Sequence, residues 1–317
     1  MDILTIGEVL IDLTQTGKDE RGIPQFAANP GGAPANLAVA AARLGAQTAF
    51  IGKVGADAFG RYLKEVLAEN KVDVSGMAVD ADHPTTMAVV SVDATGERDF
   101  SFYRSANADV MLRKEDISDE ALKAAKIVHF GSVSLTADPS RTATLDAAAR
   151  AKKLGATITY DPNYRPPLWK TEQEAKEQIL WGLRQADLVK ISDEEVQFLW
   201  GCSPEQGAER VLALGAKLVM VTLGPKGCFL KNAQAEYRCG CPQVRTVDTT
   251  GAGDIFGGSA VSRFLELGKT PEQLTPEDLA YMARYASAAA SLSTEKSGAI
   301  PSIPAKEAVL QKMQEAY

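Results

Sequence analysis

The chain has 317 residues, 45% of them hydrophobic and 24% charged, with a formal net charge of -7 at pH 7. That is globular chemistry in a length that suits one large α/β domain or two smaller ones. Excess acid argues against nucleic acid as a partner, because neutralising a phosphate backbone needs clustered Lys and Arg, although a few N–H groups at one helix start can still hold the phosphates of a nucleotide.

The opening MDILTIGEVLIDL has an acid at position two, no positive flank and no small-residue cleavage site. It reads as a first strand rather than a signal peptide, so the expected location is cytoplasmic. No apolar run approaches the ~20 residues needed to span a bilayer, and no membrane partner is expected. Residues 13 to 30 are polar and turn-rich; then Leu37, Ala40, Ala41 and Leu44 mark one face of a helix at 33 to 45. Residues 84 to 104 (PTTMAVVSVDATGERDFSFYR) alternate as two strands about a DATGE turn, the pattern of a hairpin projecting from the main sheet. It reads equally as a small β lid, useful for excluding water, or as a plain edge hairpin.

From TAFIGKV onward, KIVHFGSV, TITYD, ADLVKI and KLVMVTL are short β-branched segments next to amphipathic stretches, the rhythm of a parallel sheet covered by helices. Phe256, Ala260, Val261, Phe264 and Leu265 mark a late helix. No repeat, low-complexity tract or linker divides the sequence, so the expectation is one domain over 1–317 with lid segments at about 13–30 and 84–108. Cys202, Cys228, Cys239 and Cys241 are expected to be reduced thiols, since neither His83 nor His129 lies at a zinc-ligand spacing from the Cys-x-Cys pair.

The densest chemical signal is VDTTGAGDIFGGSAVSRFLEL at 247 to 267, a Gly-Ala-Gly turn running into a helix. Gly251 and Gly253 let a ligand approach the backbone, and the N–H groups of Ala252, Gly253 and Asp254 are expected to be unpaired and to face negative charge. On its own Asp254 could equally be an N-cap or first-turn acid. No Gly-Lys-Ser/Thr follows, so the turn is not a P-loop, and it comes too late with the wrong glycine spacing for a dinucleotide fingerprint.

This stretch resembles the DTxGAGD signature of the ribokinase-like (pfkB) carbohydrate kinases, and the resemblance runs the length of the chain. It implies a three-layer α/β sandwich with a mostly parallel central sheet and a small β lid, ATP and Mg2+ as cofactors, and Asp254 as the base that activates a sugar hydroxyl. Asp12 in GEVLID and Gly31, Gly32 and Asn36 in PGGAPAN match the family's sugar-binding positions; the plainer readings are a strand end, a turn and a helix cap. SDEE at 192 to 195 stands where the family has Asn-x-x-Glu, which leaves Glu195 to support magnesium through water and puts any role for Ser192 in doubt. The resemblance also implies nucleotide contacts from Lys190 and from Thr222, Gly224 and Gly227 in VTLGPKG, and a K+-type site at Asp248, Thr250, Gly298 and Ser302.

Longer stretches (ERDFSFYRSANADVML, HFGSVSL, YDPNYRPPLW and VKISDEEVQFL) resemble the fructokinase group, with Arg104 and Arg165 implied to close around the sugar. The plainer readings are a solvated charge for Arg104 and a structural ion pair for Arg165. The competing reading is 2-keto-3-deoxygluconate kinase, which would use such arginines for a carboxylate. The expected partners are the sugar and ATP, and a homodimer through the lid is left open. A sugar sensor without turnover could dispense with Asp254, and an NAD oxidoreductase would want its glycine-rich turn after the first strand, where IGEVLID stands.

Overall fold

The computed structural model describes residues 1–92 and 98–317. Among these residues there are fourteen strands: β1 Ile3–Ile6, β2 Leu10–Lys18, β3 Pro24–Gly31, β4 Thr48–Gly55, β5 Val72–Asp73, β6 Met77–Asp80, β7 Met87–Val92, β8 Arg98–Tyr103, β9 Ile127–Gly131, β10 Thr157–Asp161, β11 Leu188–Ser192, β12 Leu218–Thr222, β13 Cys228–Asn232 and β14 Glu236–Cys239. Among the described residues, the central sheet runs β14-β13-β12-β11-β10-β9-β1-β4-β5, with β6 also on β4. Pairing is parallel from β12 through β4 to β5 and β6, and antiparallel only at the β12-β13-β14 edge.

Successive side chains of a strand point to opposite faces, and the central strands divide their apolar residues accordingly. Leu4, Ile6, Val128, Phe130, Ile158 and Tyr160 pack with helices Ser140–Lys153 and Glu172–Gln185. Ile3, Ile127, Leu188 and Leu218 face the other way, onto helices Ala252–Leu267 and Pro276–Ser293. Strands apolar on both faces are what a sheet covered on both sides requires. His129 is buried inside this sheet with Nδ1 2.7 Å from Thr159 Oγ1. Burial, with Lys190 nearby, pushes its pKa down to about 3 and keeps the ring neutral.

The second sheet is β3-β2-β7-β8: β2 pairs antiparallel with β3 and parallel with β7, and β7 pairs antiparallel with β8. It joins the two segments that broke the α/β rhythm, while the DATGE turn at 93–97 lies outside the described residues. Two expectations need correction. MDILTIGEVLIDL is two strands in two sheets, broken at Gly7, whose φ is 152° and where a Cβ would lie 2.7 Å from Pro34 Cγ. Residues 13 to 30 are mostly strand, because Asp12 to Gln15 pair with Phe26 to Asn29 across β2 and β3. Leu13, Ala28 and Met87 pack inward beside helix Ala33–Arg43, whereas Ile23, Phe26 and Tyr103 stay exposed. No helix of the described residues is long and apolar enough to cross a membrane.

Candidate active site

The carboxyl ends of β10, β11 and β12 open onto one cavity of about 810 Å³, roofed on one side by the second sheet. Strand ends of a parallel sheet are where ligands bind, because the crossovers leave a crevice there. Helix Ala252–Leu267 enters from the other side. Its N-cap, Gly251, has φ 76°, and a Cβ there would lie 2.5 Å from Ala299 Cβ, so only glycine fits. Asp254 is therefore the third helical residue and not the N-cap.

One of the three N–H groups expected to be free is not: Ala252 N donates to Thr249 O at 3.2 Å, because the turn closes on itself. Among the described residues neither the Gly253 nor the Asp254 N–H has an acceptor. Two open donors at the positive end of a sixteen-residue helix remain. Gly253 is not among the positive-φ glycines; a Cβ there would meet Lys190 Nζ at 3.1 Å.

Asp254 is buried, with Oδ2 accepting from Asn36 Nδ2 at 2.8 Å and Oδ1 from Asn163 Nδ2 at 3.4 Å. Asn36 does not cap its helix; Gly32 does, with φ 105° and Glu8 O 2.6 Å from where its Cβ would be. Gly31 lies against Asp12, since a Cβ there would fall 2.3 Å from Asp12 Oδ2. Asp12 itself is inside β2 rather than at a strand end, and it lines the cavity. Burial pushes its pKa up to about 7, against the pull of Arg165 and helped by Asp254 and Asp248.

Lys190, on β11, is buried and bonds Asp161 at 3.0 Å. Burial works against its charge, yet Asp161, Glu195 and Asp254 outweigh it and raise its pKa. Burial raises Asp161 as well, with Lys190 pulling it down. Glu195 is occupied at both oxygens, accepting the Tyr164 and Ser192 N–H groups at 2.8 Å each. Ser192 has a definite place after all: its Oγ accepts from Glu195 N at 3.1 Å, a reciprocal capping box that fixes Glu195 at the cavity.

Thr222, Gly224 and Gly227 line the same cavity, in a β12–β13 connection that needs glycine at both positions, with φ 56° and 102°. Asp248 is buried and ties two loops behind the Gly251 turn, accepting from Thr250 N at 2.7 Å and Gly298 N at 2.9 Å. Ser302 lies close by in sequence and donates to Ala299 O at 2.8 Å.

The two arginines part company. Arg165 is exposed, lines the cavity near Asp12 and makes no ion pair among the described residues; its Nη1 donates to Tyr164 O at 3.2 Å. Arg104 is neither a solvated charge nor a cavity residue. Its side chain is 3% exposed, with Nε on Asp109 at 2.7 Å, Nη1 on Thr136 Oγ1 at 2.6 Å and Nη2 on Val133 O at 3.2 Å. Its donors point into the protein, so in this structure it does not close around a ligand.

Sequence reasoning missed Glu8, Asp161 and Asn163. Glu8 is 3% exposed and lines the same cavity, with Oε1 accepting from Ala33 N at 3.1 Å and Oε2 buried with no partner among the described residues. Burial pushes it up to about 7 despite Arg104. Asp161 and Asn163 were within reach, since they share the YDPNYR run with Arg165.

Residues 1–306 match the sequence model of a family described as pfkB family carbohydrate kinase. The chain belongs to that family. This pfkB carbohydrate kinase, an ATP-dependent sugar kinase by that membership, is 42% identical to fructokinase-1 of Zea mays over 99% of this chain and 98% of that protein. Its ribokinase-like fold superposes on the fructokinase of Xylella fastidiosa with bound ATP at a TM-score of 0.90, with 31% identity over 99% of this chain and 98% of the other. A double mutant of the fructokinase of Vibrio cholerae O395, bound to fructose, ADP and potassium ion, gives a TM-score of 0.88 and 33% identity, again over 99% and 98%.

Proposed function

We propose that this kinase transfers the γ-phosphoryl group of ATP to the 6-hydroxyl of fructose, giving fructose 6-phosphate and ADP, with Asp254 as the base. One observation carries the reading: a buried carboxylate and two open N–H groups share one helix start and face one cavity. Asp254 takes the hydroxyl proton as the sugar oxygen attacks the γ-phosphorus in line and the bond to the β-phosphate oxygen breaks. The loose transition state spreads charge over the equatorial oxygens, and the Gly253 and Asp254 amides and the nearby ammonium of Lys190 would stabilise it.

Mg2+ supplies further charge neutralisation on the triphosphate. The residues fit a magnesium held mainly by phosphate and water, since each oxygen of Glu195 already accepts one backbone N–H group, which favours contact with a cation through water. Asp248, with Thr250, Gly298 and Ser302, is the proposed place for a K+-type ion, and the potassium bound by the Vibrio cholerae relative supports it. ATP lies along Thr222, Gly224 and Gly227, and fructose lies under the second sheet acting as a lid. The whole chain then works as one kinase unit, and the exposed Ile23, Phe26 and Tyr103 offer a face for a homodimer through the lid.

The sugar end favours fructose over 2-keto-3-deoxygluconate on electrostatic grounds. Glu8, Asp12 and Asp254 line it, and among the described lining residues Arg165 is its one arginine. As Glu8 and Asp12 ionise near pH 7 a substrate carboxylate would meet up to three like charges against one guanidinium, whereas hydroxyls can donate to or accept from these acids in either state. The test is a panel of sugars with ATP, read by ADP release. Fructose is expected to give the highest kcat/KM; a higher value for 2-keto-3-deoxygluconate would move the protein to the keto-acid reading.

A further inference from the structure

The proposed base is held from two sides by carboxamides that come from opposite parts of the fold. Asn36 reaches Oδ2 from helix Ala33–Arg43, and Asn163 reaches Oδ1 from the loop after β10. A carboxylate offers no donor, so in each contact the amide must present its nitrogen. Asn163 is buried, lines the cavity, and has φ 44°, one of two non-glycine residues described with positive φ. A left-handed backbone at a non-glycine residue persists only where its surroundings over-determine it.

Here the determinant is Asp161. Its Oδ1 accepts the Asn163 N–H at 3.1 Å and also lies 3.2 Å from Lys190 Nζ. One carboxylate thus pins the turn that aims Asn163 at Asp254 and the ammonium that faces Gly253.

We infer that Asn163 is a positioning residue, held by Asp161, that fixes the orientation of the Asp254 carboxylate toward the acceptor hydroxyl. The inference rests on the assignment of Asp254 as the base and adds to it how that base is aimed. Asn36 alone would leave the carboxylate free to turn about a single hydrogen bond; the second amide removes that freedom. Proton transfer in the transition state depends on such alignment, and small misplacements are costly.

Asn163→Gly separates aim from strain, because glycine takes a positive φ without cost and deletes only the amide. The protein is expected to remain folded with a cooperative melt well above the assay temperature, since relief of the backbone strain offsets part of the lost hydrogen bond. The kcat should fall about 10-fold while KM for ATP stays within twofold, as a group acting on the chemical step requires. The same change made in an Asp254→Asn background should cost less than a further twofold, since a residue that acts through Asp254 has nothing left to aim. A kcat within twofold of the parent, a full additional loss in the Asp254→Asn background, or a kcat loss explained by loss of folded protein at the assay temperature would each overturn the inference. If Asp254→Asn by itself keeps more than a tenth of the activity, the base assignment fails and this inference fails with it; if it is inactive and Asn163→Gly is not, only the inference fails.

Discussion

At its proposed phosphate end the cavity is made largely of backbone, and at its proposed sugar end of side chains. The amides of Gly253 and Asp254, the left-handed Gly251 and the glycines of the 224–227 loop are local properties of short stretches of chain. The sugar end draws Glu8 and Asp12 from around the break between the two sheets, Asn36 from the first helix, and Asn163 and Arg165 from one loop. A backbone device has one way of working and is damaged by adding atoms. A side-chain device depends on charge and hydrogen bonding, so conservative exchanges grade its effects and pH moves it.

The sharpest way to break this contrast is at Asp254, where both ends meet. Asp254→Asn should keep the fold and the affinity for ATP and lower kcat by ~10²-fold or more, the scale of a positioned base; steady-state ADP release together with nucleotide titration measures both. At the backbone end, Gly251→Ala forces a Cβ against Ala299 at a φ of 76°. It should lower stability by about 1–2 kcal/mol in thermal melts and kcat by more than ~10-fold as the anion-facing turn shifts. Gly253→Ala, whose Cβ meets only the flexible end of Lys190, should be milder on both measures.

At the sugar end, Arg165→Gln keeps some donors and should cost about 1–2 kcal/mol in kcat/KM for fructose. Near-complete loss would point instead to a substrate carboxylate.

The smallest effect on activity, and the one peculiar to the side-chain end, is in pH. The pKa of Glu8 is raised by folding from 4.5 to about 7, so the folded state binds its proton more tightly than the unfolded chain. Its contribution to stability is full below about 4.5 and is lost as pH rises through 7, on the order of 3 kcal/mol in all for the ligand-free protein. Asp12 acts in the same direction over its own range, from 3.8 to about 7. His129, whose pKa folding lowers from 6.5 to about 3, acts the other way below pH 6.5, so the test is a difference: in denaturant melts from pH 4.5 to 7.5, Glu8→Gln should remove one falling contribution from the parent's slope and leave those of Asp12 and His129. An unchanged slope would mean that Glu8 keeps its charge in the folded protein.

The alternation of β-branched segments with amphipathic helices, the two glycine turns and the family signature could be read directly from the chain, because each is set by residues a few positions apart. Asp254, Glu195, Asn36 and Asp12 fall within such runs, and the structure brings all four to one cavity. What the sequence by itself determined was therefore the α/β class, the family and the glycine turn at the helix start. Only the tertiary structure decided that MDILTIGEVLIDL divides between two sheets, that Arg104 is claimed by Asp109, Thr136 and Val133 rather than by a ligand, and that Ser192 caps the helix bearing Glu195. It alone brought Asn163 across 91 positions to Asp254 and Asn36 across 218. The physical reason is range: backbone conformation and periodicity are fixed by neighbours in sequence, whereas burial, shifted pKa values and the partner of a charged group depend on which distant segments pack together.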